Sequence, residues 1–231
     1  VPNPRKWSAE TPNLYSCVIT LHNSSGQVIS TTVAKLGFRK VEIRNAQLLV
    51  NGKKIMVHGV NRHEHDEKLG HVPTKEMMIR DIKLMKQFNI NCVRTSHYPP
   101  EKRYLELADE YGMYIIDETG DECHATEYLS GRKEWEEMYR ERARRMVLRD
   151  RNHPSILFWS AGNESGEGSN ICAVIAEGRK YDNTRYWMYG GNAFAHKCEE
   201  IMGPRYPAIR ELVTDVLTVP PSEDPRPSFL D

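Results

Sequence analysis

Apolar and polar residues alternate at the start of the chain: Leu14 to His22 and Gln27 to Leu36 have apolar side chains at alternating positions, with Asn23-Ser24-Ser25-Gly26 as turn chemistry between them. This predicts a β-hairpin. Gln47 to Val50 and Lys53 to Val57, joined by Asn51-Gly52, predict a second one. From Ile55 the pattern becomes short apolar runs separated by amphipathic segments. Strands are expected over Ile55 to Val60, Asn91 to Arg94, Tyr114 to Asp117, Ile156 to Trp159, Tyr186 to Tyr189 and, briefly, Glu200 to Met202. Among the helices, Thr74 can cap one with Met78, Ile82 and Met85 at i, i+4 and i+7. Pro100 starts another with Tyr104, Leu107, Ala108 and Tyr111 on one face, and Gly112 stops it. A third runs from about Arg132 to Asp150 with Trp135, Met138, Tyr139 and Met146 inward, and Ile171 to Arg179 and Ile209 to Leu217 follow.

Strand-helix units in series imply a parallel sheet. With no Gly-x-Gly-x-x-Gly after the first strand, the α/β pattern favours a (β/α)8 TIM barrel over a doubly wound sheet. A hairpin cannot bury a core alone, so residues 1–45 read as the last strands of a β-sandwich and residues 46–231 as the barrel. A complete barrel takes about 250 residues, so this one is expected to be unfinished. Ser228-Phe229-Leu230 would begin a seventh strand, and Pro220 to Pro227 would form an exposed loop before it.

Composition narrows the partners. Lys plus Arg and Asp plus Glu are 32 each, so no net field favours nucleic acid or an acidic membrane, and a neutral ligand fits best. At 39% hydrophobic residues the 231-residue chain can build a core, and no apolar run is long enough to span a membrane. A start without Met and without a charged-then-apolar leader reads as a piece of something longer. Five cysteines, odd in number and without a Cys-x-x-Cys pair, predict neither a disulfide framework nor structural zinc. They are expected to be buried or incidental thiols and leave the compartment, cytoplasm or periplasm, open.

In a barrel, polar clusters would meet at the C-terminal rim of the strands. They are Asn61 to Asp66, Thr95-Ser96-His97-Tyr98, Asp117-Glu118 with Glu122 and His124, and Asn163-Glu164. Each also has a plain reading. Glu164 is then a solvated turn acid, His63 and His65 are loop histidines, His97 caps the helix at Pro100, and Asp117-Glu118 pair with arginines of neighbouring units. Together they offer two chemistries. Glu122, His124 and Glu164 make a divalent metal site whose imidazole points to zinc or manganese, without the His-x-x-x-His helix of a zinc hydrolase. Alternatively, Glu164 does acid-base work on a polyhydroxylated ligand, with His63, His97 and Asn163 bonding hydroxyls and Trp159, Tyr98 and Trp187 lending apolar faces. Retaining glycosidases place two carboxylates about 5–5.5 Å apart, so Glu164 needs a partner.

The motifs Gly59-Val60-Asn61-Arg62-His63-Glu64-His65, Arg94-Thr95-Ser96-His97-Tyr98-Pro99, Asp117-Glu118, Arg151-Asn152-His153-Pro154-Ser155 and Trp159 to Gly166 resemble glycoside hydrolase family 2, on its bacterial β-galactosidase branch. Trp7 to Tyr15 and Gly37-Phe38-Arg39 are similar to the immunoglobulin-like domain that precedes the barrel there. The resemblance implies that Glu164 is the general acid/base and that Asn163 contacts the sugar 2-hydroxyl. It also implies that His63 and His97 bind the galactose ring and that Glu122, His124 and Glu164 hold Mg2+ in place of zinc. The implied partner is a carbohydrate, a β-galactoside, and the full-length protein is allowed a homo-oligomeric state. Two departures stand out. Thr119 to Ala125 differs from the family pattern around the metal ligands, and the family nucleophile, a Glu ending the seventh strand, is expected just after Asp231, so the chain alone is expected to be inactive. Other readings are a β-glucuronidase, which needs cations for the substrate carboxylate, a β-mannosidase, a non-catalytic carbohydrate-binding barrel or a metal-dependent hydrolase.

Overall fold

The computed structural model describes residues 1–191, 198–201 and 203. β1 (Tyr15–His22) and β2 (Val28–Leu36) form an antiparallel hairpin with Tyr15 opposite Leu36. Asn23 closes its turn by accepting the backbone N–H groups of Ser25 and Gln27 at 3.1 and 2.8 Å. β3 (Val41–Arg44), β4 (Gln47–Val50) and β5 (Lys53–Lys54) form a three-stranded antiparallel sheet. Asn51-Gly52 makes the expected turn with positive φ at both residues, 54° and 79°. β3 was not expected from the sequence. Its turn into β4 uses Asn45 and Ala46 at φ 53° and 54°, and Ala in that conformation is a poor turn signal.

Five strands then run parallel: β6 (Gly59–Arg62), β7 (Cys92–Thr95), β8 (Tyr114–Glu118), β9 (Ile156–Asn163) and β10 (Tyr186–Gly190). Helices α1 (Lys75–Gln87), α2 (Lys102–Tyr111), α3 (Glu136–Asp150) and α4 (Ser169–Arg179) connect them. The strands pair in chain order with no reversal. A doubly wound sheet reverses at a switch point, so this is the wall of a (β/α)8 barrel. Ile201 continues the wall by a parallel bridge to Met188. Met202 and the expected features at Ile209 to Leu217, Pro220 to Pro227 and Ser228 to Leu230 lie outside the described residues.

Local signals place these elements well. Thr74 accepts the Met77 N–H at 3.2 Å, and Gly112 ends α2 in the left-handed region at φ 73°. Three expectations need correction. The first parallel strand begins at Gly59, where pairing with Cys92 starts, because Ile55 and Val57 contact the lower core without joining a ladder. α3 begins at Glu136 after 3-10 turns over Glu127–Gly131 and Lys133–Trp135. Its buried stripe is Tyr139, Ala143, Met146 and Val147, which leaves Trp135 and Met138 exposed. Finally, Cys172 and Cys198 form a disulfide joining α4 to the segment after β10, a proximity created by the strand-helix repeat that residue spacing does not show. Cys17, Cys92 and Cys123 are free, and burial pushes the Cys92 thiol up to about 12. Among the described residues no helix is long and apolar enough to cross a membrane.

The period-two pleat divides the core. Val93, Ile115, Trp159, Ala161 and Trp187 face the helices in one buried cluster, while Cys92, Tyr114, Phe158 and Met188 face the barrel interior in another. Trp7 closes the interior cluster, edge-on to Tyr114 at 5.8 Å, with its indole N–H on the Asp109 carbonyl at 2.9 Å. Trp159 and Trp187 are therefore fully buried behind the wall and offer no face to a ligand, contrary to expectation.

Asp117 also faces the helices, and its burial and the neighbouring Asp150 push its carboxyl well above the usual range. A raised carboxylate pKa contributes stability that is fully present below the unfolded value near 3.9 and lost as pH rises toward the folded value. In thermal unfolding, Asp117→Asn should gain on the parent as pH goes from 4 to 7, by about 2–4 °C or more. A Tm difference that does not change with pH would show Asp117 to be an ordinary carboxyl.

Candidate active site

Interior-facing positions change character as the strands rise. On β7 the place after Cys92 is Arg94, on β8 Tyr114 and Ile116 lead to Glu118, on β9 Phe158 leads to Ser160, and on β10 Met188 leads to Gly190. The barrel thus has an apolar floor under a polar layer. Glu118 is completely buried there. One carboxylate oxygen lies 2.6 Å from His97 Nδ1, and the other receives Arg94 Nε at 2.6 Å and the Ser160 hydroxyl at 2.6 Å. The Thr95 hydroxyl accepts the Glu118 backbone N–H at 2.9 Å.

β9 delivers the central acid. Its last residue is Asn163, and Gly162 (φ 131°) brings the strand so close to the β8 loop that a Cβ there would stand 2.6 Å from the Asp121 carbonyl. Asn163 N–H donates to that carbonyl and Glu164 N–H to the Gly190 carbonyl, both at 2.8 Å. Ser165 adds a hydroxyl bond to the same Asp121 carbonyl at 2.7 Å, and its N–H reaches the Tyr189 hydroxyl at 2.8 Å. Glu164 is held at φ 43° by this clamp. The Asn163 amide accepts from Arg94 Nη2 at 2.9 Å and donates to Glu122 Oε2 at 2.6 Å.

Glu122 and His124 project from the loop after β8. His124 Nδ1 lies 2.7 Å from Glu122 Oε1, and its Nε2 contacts Glu164 Oε2. One donor atom from each of Glu122, His124 and Glu164 falls within 4.8 Å of the others. Two carboxylates and one imidazole so placed fit a hard divalent cation. His97 Nε2 stands 4.0 Å from Glu122 Oε2. His63 meets His97 edge-on with ring centroids 5.3 Å apart, and the Tyr98 hydroxyl is 3.4 Å from its Nδ1. Desolvation, followed by the neighbouring His97, pushes the His63 pKa down, so its ring is neutral at pH 7 and can both donate and accept. Burial raises the Asp121 carboxyl to about 6 although Arg142 bonds it at 2.7 Å.

The structure therefore brings Glu164, Asn163, Glu122, His124, His97 and His63 to one mouth, with Tyr98 beside them. His65 is exposed, and Glu64 binds Arg62 and the Glu101 N–H. Arg94, Ser160 and Gly190 are not among the expected site residues, and Glu118 is expected at the rim but without a role in the site. Counting strand parity from Cys92, Tyr114, Phe158 and Met188 would have found them.

A family model described as "Glycosyl hydrolases family 2, TIM barrel domain" matches residues 41–218, and one described as "Glycosyl hydrolases family 2" matches residues 1–39. The chain belongs to glycoside hydrolase family 2. It is 48% identical over 215 residues to a β-galactosidase of Vibrio vulnificus, covering 92% of this chain and 21% of that protein. The chain thus spans about a fifth of the length of such family 2 relatives. Among solved structures, a β-glucuronidase of Ruminococcus gnavus in complex with D-glucuronic acid matches with TM-score 0.84 and 25% identity, covering 100% of this chain and 43% of that one. A β-D-glucuronidase of Dictyoglomus thermophilum matches with TM-score 0.77 and 28% identity, covering 94% and 40%.

Gly190 tests the polar layer. A Cβ there would collide with Arg94 Nη2 and stand 3.0 Å from Asn163 Oδ1, whereas at Gly120 it would meet nothing within 4 Å. Gly190→Ala should cost about 1–3 kcal/mol in urea unfolding, and Gly120→Ala should stay within about 0.5 kcal/mol of the parent. Equal effects would show that the layer yields freely.

Proposed function

We propose that the chain carries the acid/base half of a retaining glycoside hydrolase that cleaves terminal β-D-galactosyl residues. The observation that carries this reading is Glu164, set just past the end of β9 by four backbone and hydroxyl clamps and surrounded by Asn163, His97 and His63. In this reading Glu164 gives its proton to the glycosidic oxygen and later takes one from the attacking water. Asn163, already held between Arg94 and Glu122, meets the 2-hydroxyl, and His63 and His97 meet other hydroxyls of a neutral ring. The family resemblance puts the attacking carboxylate on a seventh strand, which lies outside the described residues. Residues 1–45 belong with a sandwich domain and residues 46–231 with the barrel.

Glu122, His124 and Glu164 would hold Mg2+. The ion would supply fixed positive charge between two carboxylates, and these residues themselves would keep Glu164 aimed at the mouth. A β-glucuronidase is the second reading, favoured by the solved structures matched above. It is the weaker one, because the curated relatives at 45–48% identity are β-galactosidases and the guanidinium groups of Arg94 and Arg142 are engaged by Glu118, Asn163 and Asp121.

Two measurements on the complete protein test this. Glu164→Gln should lower kcat/KM by about 10²–10⁴-fold on alkyl β-galactosides and far less on nitrophenyl ones, whose leaving groups need little protonation. Equal losses on both, or faster turnover of aryl glucuronide than of aryl galactoside by the parent, would count against the assignment. Chelation should slow the poor leaving groups first, and added Mg2+ should restore them. Full activity after chelation would remove the metal from the reading.

A further inference from the structure

We propose that Glu118 is the positioning residue of this site, its buried carboxylate aiming His97 with one oxygen and, through Arg94, Asn163 with the other. The inference rests on the glycosidase reading of the mouth. Oε1 stands 2.6 Å from His97 Nδ1, so the ring nitrogen facing the carboxylate carries a proton. That leaves Nε2 on the mouth side, where it is 4.0 Å from Glu122 Oε2. Oε1 of Glu118 is the much nearer of the two carboxylate oxygens that face the ring, and the contact with His63, through ring edges and faces, does not select between the nitrogens.

The second oxygen works at longer range. Arg94 spends Nε on Glu118 at 2.6 Å, and this fixes the guanidinium plane so that Nη2 donates to Asn163 Oδ1 at 2.9 Å. With Oδ1 committed, the Asn163 amide must turn Nδ2 outward, which it does toward Glu122. Ser160 holds the same carboxylate oxygen from β9 at 2.6 Å, so the acid cannot rotate away. Two ligand-facing groups, from the ends of β7 and β9, thus take their orientation from one acid that is fully buried and reaches no ligand itself. A glutamine of the same shape cannot serve both. Its amide NH2 would face either His97 Nδ1, inverting the tautomer, or the Arg94 guanidinium, leaving two donors opposed.

The test is a double-mutant cycle in the complete enzyme, with kcat/KM on aryl and alkyl β-galactosides referred to titrated active sites. Glu118→Gln should lower kcat/KM by about 10–100-fold, with Tm within about 4 °C of the parent. In a His97→Ala background the same substitution should cost at least about fivefold less than in the parent, because the group it acts through is gone. A merely structural role lowers Tm or the number of active sites and leaves the two losses multiplicative. Multiplicative losses, or a Glu118→Gln enzyme within about twofold of the parent, overturn the proposal. Should Glu118→Gln fail to fold, Ser160→Ala removes one hydrogen bond and keeps the charge. It should lose about 3–10-fold, again less when His97 is already Ala, and a multiplicative loss there overturns the proposal equally. A parent that turns over neither β-galactosides nor β-glucuronides overturns the functional reading itself, and this one with it.

Discussion

An ionised carboxylate sealed inside a barrel is the constraint on which the polar half of this structure depends. Removing Glu118 from water costs several kcal/mol unless donors replace the lost hydration. The donors come from three directions, Arg94 on β7, Ser160 on β9 and His97 beyond β7, and each has a position only because the strands pair in chain order. The same pleat puts Cys92, Tyr114, Phe158 and Met188 one level lower. A dry floor therefore lies directly under a charged layer. Well-packed hydrophobic residues can serve stability as well as a buried ion pair does, so the network's value lies in fixing where its members point.

The rim has the opposite arrangement. Glu122 and Glu164 converge on His124, which is largely exposed, whereas Glu118 meets the buried guanidinium of Arg94. Two nearby carboxylates repel, so the trio favours a bound cation. In its proposed role as general acid Glu164 must nevertheless keep its proton, and a nearby positive charge opposes that. Glu122 meets both His124 and the Asn163 amide, so a positive charge at this rim faces two acids and not Glu164 alone.

Much of this was legible in the sequence because short-range rules carried it. Thr74 as a cap, Gly112 as a stop and Asn51-Gly52 as a turn are decided by a few neighbouring atoms, and the strand-helix alternation needs only hydrophobic period. The rim residues were legible because chemistry-bearing side chains cluster just past apolar runs. What escaped depends on the third dimension. Trp159 and Trp187 are apolar wherever they point, and only the register shows that they face the helices. Glu118 was visible as an acid, but its role comes from Arg94, Ser160 and His97, which are 24, 42 and 21 residues away. Cys172 and Cys198 meet only because α4 and the segment after β10 are packed side by side.

The loop from Thr119 to Ala125 shows how a site's geometry can rest on main-chain contacts. Its grip on β9 is a main-chain one: the Asp121 carbonyl takes both the Asn163 N–H and the Ser165 hydroxyl, and Gly162 leaves the room this needs. A carbonyl offers the same acceptor whatever side chain follows it. The Asp121 side chain looks away, toward Arg142 and Thr119, and Gly120 has open space where a side chain would stand. Substitution at Gly120 leaves the clamp intact, whereas the buried Asp121 side chain has partners of its own to keep. Glu122 and His124 are not free in this way, because the proposed metal site is defined by their side-chain oxygens and nitrogens. The physical division within seven residues is thus between contacts made through the backbone, which survive a change of side chain, and contacts made through side-chain atoms, which do not, and Asp121 makes both.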